Sequence, residues 1–386
     1  MKKIITVFSL AMLCVFQAFS QAIIVDHHCT DISQVPENAI QTAKQTLHIA
    51  YGHTSHGSQL ITGMDGLIPF MNANGYTNNL CTWNNGGTAG ALDLHDLAMG
   101  GDVGYYPDWV NNTRSYLGVP DPSTGRGTGA NADVNVIIWS WCGQVSSQTE
   151  NSMITNYLTP MSLLETDYPG IQFVYMTGHL DGGGSAGNLN VRNEQIRTYC
   201  IANNKRLYDF ADIESYDPDG LVNYMALMAN DNCDYDSDAN GSLDKNWATE
   251  WQNSHVVNVD WYNCSPAHSQ ALNGNLKAYA AWWLWARLAG WSPTTSVSDG
   301  EQNSQGVSVF PNPAADILNI SISNPAQGKV VVDVFDLQGK KLISKQFDSN
   351  ASFQESIDIS FLAAGSYFVK THNGNTDFGA LVNIVR

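Results

Sequence analysis

The hydrophobic periodicity of this chain changes at Trp291, and that change constrains the fold more than any single motif. Before it, four apolar runs have strand length: "TLHIAYG" from Thr46, "VNVIIWSWC" from Val134, "IQFVYMTG" from Ile171 and "KRLYDF" from Lys205. Helical patterns lie between and after them, in "ENAIQTAKQ", "MITNYLTPMSLLETD", "NLNVRNEQIRTYCIAN" and "NLKAYAAWWLWARLAGW". Strands alternating with helices of this length predict βαβ units, hence an α/β domain over residues 22–291 with a doubly wound, mostly parallel sheet. After Trp291 the segment "SPTTSVSDGEQNSQG", residues 292–306, is polar and free of aromatics, which reads as a linker. Residues 307–386 then alternate with period two between turn signals, the pattern of a small β-sandwich.

A length of 386 residues suits two domains, and 43% hydrophobic residues can fill a sizeable core. Eighteen basic against 36 acidic residues leave a net charge of -18, which argues against nucleic acid and anionic membrane as partners. Lys2 and Lys3 precede the apolar run "IITVFSLAMLCVF", with small residues before Gln21, so residues 1–20 read as a secretory signal peptide. Its removal takes Cys14 and leaves Cys29, Cys81, Cys142, Cys200, Cys233 and Cys264. An even count in an exported chain predicts disulfides, whose pairing the sequence leaves open.

Within the tail, "FPNPAADILNI" (Phe310 to Ile320), "VFDLQGKKL" (Val334 to Leu342) and "LAAGSYFVK" (Leu362 to Lys370) follow one another in order. These pieces resemble the C-terminal sorting domain of proteins exported by the type IX secretion system. The resemblance implies recognition by that machinery, passage through the outer membrane, and release or surface attachment. The tail holds no tryptophan or cysteine and one histidine, so chemistry is expected in the first domain.

In a parallel sheet, ligands sit at the carboxyl ends of the strands, which puts the loops after Gly52, Trp141, Gly178 and Phe210 on one rim. The first reads "GHTSHG", Gly52 to Gly57. A serine attacks only if a base takes its proton and donors hold the oxyanion, and a tight glycine-flanked turn presents a hydroxyl together with backbone N–H groups. Ser55 and Ser58 are the candidate nucleophiles, and His268, in the loop before the last helix, is the candidate base. This order of parts resembles the SGNH/GDSL hydrolases, in which a serine follows the first strand and a histidine precedes the last helix. Some relatives carry His-x-Ser-x-Gly, which matches His53-Thr54-Ser55-His56-Gly57 and so selects Ser55. The resemblance implies an ester or acyl hydrolase with an oxyanion hole made of backbone N–H groups near Ser55 with Gly101 or Gly143. Gly143 and Gln144 stand where the family carries an asparagine, and Ser265 replaces the acid three residues before the histidine. Asp260 is the nearest carboxylate, so a Ser55–His268–Asp260 triad and a Ser–His dyad are both open.

Two other chemistries compete. His53 and His56, with Asp26, His27 and His28 upstream, are donors for a catalytic metal in a hydrolase or lyase. The segment "DNCDYDSDANGSLDKNWATE" carries Asp234, Asp236, Asp238, Asn240 and Asp244, and its D-x-D-x-N-G-x-x-D register predicts a structural calcium ion. Trp83, Tyr105, Tyr106, Trp109, Trp139 and Trp141 fall near the expected rim in polar loops, where they would stack on sugar rings. A glycan ester, or another small ester, is therefore the expected substrate class, and a non-catalytic glycan-binding protein on a hydrolase-like fold is the alternative.

Overall fold

In the computed structural model the described residues are 22–293, 307–310, 314–322, 328–335, 340–349, 353–363, 365–373 and 376–384. The signal-peptide segment and residues 294–306 of the linker lie outside them. The chain divides into two compact units between Pro293 and Thr294.

The first unit is built on a seven-stranded sheet of order β1-β7-β6-β5-β2-β4-β3, parallel throughout. Its strands are β1 (Ile23–Val25), β2 (His48–Gly52), β3 (Trp83–Asn84), β4 (Leu92–Met99), β5 (Val136–Trp139), β6 (Gln172–Met176) and β7 (Arg206–Tyr208). The side-chain period of two divides each central strand between two apolar cores. Ile49, Tyr51, Val136, Ile138, Val174 and Met176 face one, together with α1 (Glu37–Thr46), α2 (Ser58–Ala73) and, from farther along the chain, Ala271–Leu288. Ala50, Ile137, Trp139, Phe173 and Tyr175 face the other, with α3 (Asp108–Leu117), α4 (Glu150–Met153), α5 (Thr159–Asp167) and α6 (Asn188–Ala202). The chain leaves β2 toward β3 and β4 on one side and returns to β5 on the other. That reversal opens a crevice at the carboxyl end of β2.

Three helices complete this unit: α7 (Phe210–Ile213), α8 (Trp247–Ser254) and α9 (Ala271–Leu288). α9 is buried continuously from Leu272 to Ala286, with Trp282 and Trp285 toward its end and the polar Asn273, Asn275 and Lys277 in its first turns. It lies directly on α2, because Gly63 and Gly274 meet there. A Cβ on Gly63 would stand 2.0 Å from the Gly274 carbonyl oxygen. The contact brings together the segments that lead into these helices, with Ser55 before α2 and His268 before α9.

The second unit holds two antiparallel sheets. One has the order β8-β9-β12 (Val307–Phe310, Ile317–Ile322, Phe353–Asp358). The other has the order β11-β10-β13-β14 (Lys341–Ser349, Gly328–Phe335, Gly365–Asn373, Thr376–Ile384). Leu318, Ile320 and Ile357 of one sheet share an apolar cluster with Val330, Val332, Val334 and Val369 of the other.

Candidate active site

The turn after β2 is pinned from three directions. His53 is buried, and its Nε2 lies 2.6 Å from the Asp96 carboxylate on β4. Thr54 Oγ1 donates to Asp102 at 2.8 Å, and the other Asp102 oxygen accepts the Gly104 N–H at 2.9 Å. The Tyr51 hydroxyl donates to the Gly57 carbonyl at 2.9 Å. Gly57 has no room for a side chain, since a Cβ would come within 2.2 Å of Ser140 Oγ and 2.4 Å of His53 Cβ. Ser58 Oγ donates to the Ser55 carbonyl at 2.7 Å as α2 begins, which commits that hydroxyl to the backbone. Ser55 is left half-buried at the mouth of the crevice.

His268 meets it. Its Nε2 lies 2.5 Å from Ser55 Oγ, across 213 residues of sequence. His268 has a backbone φ of 59°, a left-handed conformation unusual for histidine and held only where surroundings impose it. Part of that imposition is visible: Gln59 Nε2 donates to the Ala267 carbonyl at 2.7 Å. Gln59 Oε1 in turn accepts from Lys277 Nζ at 2.9 Å. Lys277 is fully buried and pairs with Glu214 at 2.5 Å, and the second Glu214 oxygen accepts the Leu180 N–H. A buried charge pair thus ties α2, α9 and the loop after β6 together beneath the dyad.

Asp260 does not take part in this arrangement. Its carboxylate turns back on its own loop and accepts the Val256 N–H at 2.8 Å, and no hydrogen bond joins it to His268. The carboxylate that approaches is Asp231. One donor atom each of His56, Asp231 and His268 lie within 4.8 Å of one another. Asp231 bonds His56 Nε2 at 2.9 Å, and the His56 ring stacks on His268 at 4.6 Å and on His179 at 3.7 Å. Burial pushes the His56 imidazole below its ordinary pKa in spite of Asp231, so this ring is neutral near pH 7. Burial raises the Asp231 carboxyl, but the His56 hydrogen bond and the nearby imidazoles outweigh it and leave the group below the usual carboxylate range. A stack of imidazoles with one anion at its edge therefore flanks the base. Sequence spacing gave no signal for Asp231, which lies 37 positions before His268.

Three backbone N–H groups on this rim, those of Ser55, Gly101 and Gly143, have no acceptor among the described residues. Gln144 Oε1 accepts the Cys142 N–H at 3.1 Å, which leaves the Gln144 amide nitrogen free as a donor. They are free donors in loops at the same end of the sheet as the Ser55–His268 pair.

Other expectations from the sequence fare differently. The six cysteines expected to pair are all free thiols. They sit in separate places, Cys29 beside Asp26, Cys142 3.6 Å from His56 Nδ1, and Cys264 against Asn275. Burial pushes Cys29, Cys81, Cys233 and Cys264 up to about 12. His53 and His56 do not converge, since Asp96 holds one and Asp231 the other, while His27 pairs with Asp212 instead. In the acidic loop the carboxylates turn onto nearby N–H groups. Asp236 accepts from Asn240 and Gly241 at 3.1 and 2.7 Å, Asp238 from Asn240 at 3.2 Å, and Asp244 from Ser237 at 2.9 Å. Asp234 takes the side-chain amides of Asn232 and Asn246, and the Asn240 side chain accepts the Ser242 N–H. Of the rim aromatics, Trp109 on α3, Trp139 on β5 and Trp141 just beyond it are core residues packed in the second apolar cluster. Tyr105 and Tyr106 do stand exposed, next to the Asp102–Gly104 turn.

Residues 308–380 match a family described as the secretion system C-terminal sorting domain. The protein is accordingly secreted by the type IX system to the cell surface or extracellular space, and its tail engages that machinery. No helix among the described residues is long and apolar enough to cross a membrane. None of the curated proteins compared with the chain matches it. Among solved structures, a DUF3244 family protein with an immunoglobulin-like β-sandwich fold from Bacteroides vulgatus is 15% identical, covering 22% of this chain and 90% of its own, with a TM-score of 0.19. An engineered protein is 10% identical over 95% of this chain and 99% of its own, with a TM-score of 0.21. The endo-beta-1,4-mannanase from Thermotoga petrophila is 12% identical over 66% of this chain and 48% of its own, with a TM-score of 0.15.

Proposed function

We propose that the first domain is a secreted serine ester hydrolase of SGNH type, acting on small or glycan-borne acyl esters. The observation that carries this reading is the 2.5 Å approach of Ser55 Oγ to His268 Nε2 at the carboxyl end of β2. In the first half-reaction Ser55 Oγ bonds to the acyl carbon as its proton passes to His268 Nε2. The carbonyl oxygen takes up the negative charge, facing the N–H groups of Ser55, Gly101 and Gly143 and the amide of Gln144. The intermediate collapses with loss of the alcohol, which receives its proton from His268. Water, deprotonated by the same imidazole, then clears the acyl group as a carboxylic acid. Asp231 stabilises the imidazolium through space, and the stacked His56 ring limits rotation of the base.

Ser55→Ala and His268→Ala should each lower hydrolysis of an acetyl ester by roughly a thousandfold, with the double variant no worse than either, because the two act as a unit. Asp231→Asn should lose roughly ten- to a hundredfold, a charge effect of about 1.4–3 kcal/mol on the barrier. Asp260→Asn should leave the rate unchanged. Full activity in Ser55→Ala would end this reading. One observation favours a second: the donor atoms of His56, Asp231 and His268 are close enough to share a cation. In that metal-dependent hydrolase, activity would depend on added zinc and would survive loss of the Ser55 hydroxyl. A glycan-binding protein without activity would show neither behaviour.

A further inference from the structure

A second cleft, of about 560 Å³, opens away from the Ser55 rim between the carboxyl-terminal end of α2, α8 and the flank of α9. Its walls include Phe70 and Asn74 of α2 and its cap, Tyr76, Trp251 on α8, Asp260, and Tyr279 on α9. The volume is that of a small-molecule site, within the range of roughly 300–1,000 Å³. None of these residues belongs to the Ser55 constellation.

The lining has three properties that together select a ligand chemistry. First, it offers rings held in place. Trp251 stacks on His255 at 3.6 Å with an interplanar angle of 6°, and His255 Nδ1 is fixed by the Trp251 carbonyl at 2.8 Å. Second, it offers unused hydrogen-bonding groups. Tyr279 is only 8% exposed, yet its hydroxyl has no partner among the described residues. Burial raises its pKa, so the group remains a neutral donor and acceptor. The Tyr76 hydroxyl is equally unpartnered among the described residues. Asn74 spends its amide nitrogen on the Phe70 and Asn258 carbonyls and keeps its oxygen, and Asp260 uses one oxygen on Val256 and keeps the other. Third, no lysine or arginine lines the cleft, while Asp31 and Asp260 do. Phosphate, sulfate and carboxylate ligands are therefore repelled.

We infer that this cleft binds a neutral sugar residue of a glycan, with its C–H face on the aromatic walls and its hydroxyls on Tyr279, Asn74 and Asp260. A pyranose has that combination of an apolar face and an equatorial rim of hydroxyl groups, and aromatic side chains with a polar tip suit such a surface. The inference is independent of ester hydrolysis at Ser55.

Affinity electrophoresis of the whole secreted protein tests it, using Ser55→Ala so that turnover does not alter the gel. The gels contain glucomannan, arabinoxylan, a β-1,3-glucan or anionic polygalacturonate. Retardation is expected in at least one neutral gel. It should weaken roughly three- to tenfold in Tyr279→Phe, the equivalent of one lost hydrogen bond. It should also fall in Tyr76→Ala and disappear in Trp251→Ala, with melting curves verifying that each variant is folded. In the Ser55 background the same cleft variants should hydrolyse a small acetyl ester at the parent rate. The inference is overturned if no neutral gel retards the protein, if only polygalacturonate does, if salt but not free oligosaccharide competes, or if Tyr279→Phe and Tyr76→Ala migrate like the parent.

Discussion

Lys277→Met leaves the Glu214 carboxylate inside the protein without its counter-charge, and the structure allows the cost to be worked out. Lys277 is 0% and Glu214 1% exposed, so water cannot take over the lost interaction. The Lys277 ammonium bonds Glu214, Gln59 and Asn273 at 2.5, 2.9 and 3.0 Å and lies 3.8 Å from the centre of the Phe210 ring. Breaking a buried pair from one side costs about 3–5 kcal/mol. For a domain of this size 1 kcal/mol moves the melting temperature by roughly 2–4 °C, so a fall of roughly 6–20 °C is expected. Tryptophan fluorescence reads this domain alone, because all 11 tryptophans lie at or before Trp291. Lys277→Met with Glu214→Gln should recover most of the loss, since the glutamine carbonyl can still accept the Leu180 N–H and no charge remains buried. In the single variant Glu214 becomes an isolated buried acid with a raised pKa. The deficit should therefore be smaller at pH 5 than at pH 7, as protonation of the folded state relieves it. A deficit below about 1 kcal/mol, or a double variant no better than the single one, would refute the assignment of a charged pair beneath the dyad.

Burial pushes His27 down, but the Asp212 hydrogen bond and charge, with help from Asp26 and Asp209, leave its folded pKa raised. Its contribution to stability is therefore full below the unfolded value of about 6.5 and is lost as pH rises through the folded value, so His27→Ala should destabilise more at pH 5.5 than at pH 8.5 in urea titrations. Calcium is proposed as a structural ligand of the Asp236 loop: chelation should lower the melting temperature by a few degrees, and Asp236→Ala with Asp238→Ala should remove that response. A melting curve indifferent to chelator would leave the loop as a set of self-satisfied turns. Deleting residues 307–386 should leave a folded, equally active first domain retained in the periplasm, read by fractionation, and unchanged export would contradict the role of the tail.

What the sequence shows about this fold follows from how much backbone geometry each signal fixes. Apolar runs such as "VNVIIWSWC" and "IQFVYMTG" lie on buried central strands, and parallel strands oblige the loops after them to share a rim. That argument puts Ser55 on the rim, whereas His268, which precedes a helix, is brought to it only by the resemblance to the SGNH/GDSL order of parts. β4 is harder to read because "LDLHDLAM" interleaves Asp93, His95 and Asp96 with apolar residues, yet two of those side chains are structural, Asp93 on His48 and Asp96 on His53. Proximity to a rim in sequence said nothing about facing. Trp139 and Trp141 both turn into the core, one N–H reaching Thr113 and the other the Met176 carbonyl. Cysteine parity likewise carries no geometry, and thiols as dispersed as Cys81 and Cys200 have nothing to pair with. Asp231 was hidden because it opens the acidic segment read for calcium, and a spacing of 37 positions gave no reason to bring it beside His268.

If His268 is the base of the proposed hydrolase, the absence of an acid three residues before it matters, because a lone imidazole must be both aimed and stabilised when it takes a proton. A carboxylate on Nδ1 would do both at once. No described group bonds Nδ1 here, and the two tasks are divided. Aim comes from the backbone, with Ala267 tied to Gln59 and His268 held in the left-handed region, and from the His56 face at 4.6 Å. Charge comes from Asp231, which is kept ionised by its own bond to His56 and so stays available near His268 across the neutral range. A neutral His56 suits this division, since a second imidazolium stacked at that distance would oppose protonation of the base. In the proposed hydrolase, burial of His56 against His179 and His268 would favour the reaction by withholding a charge.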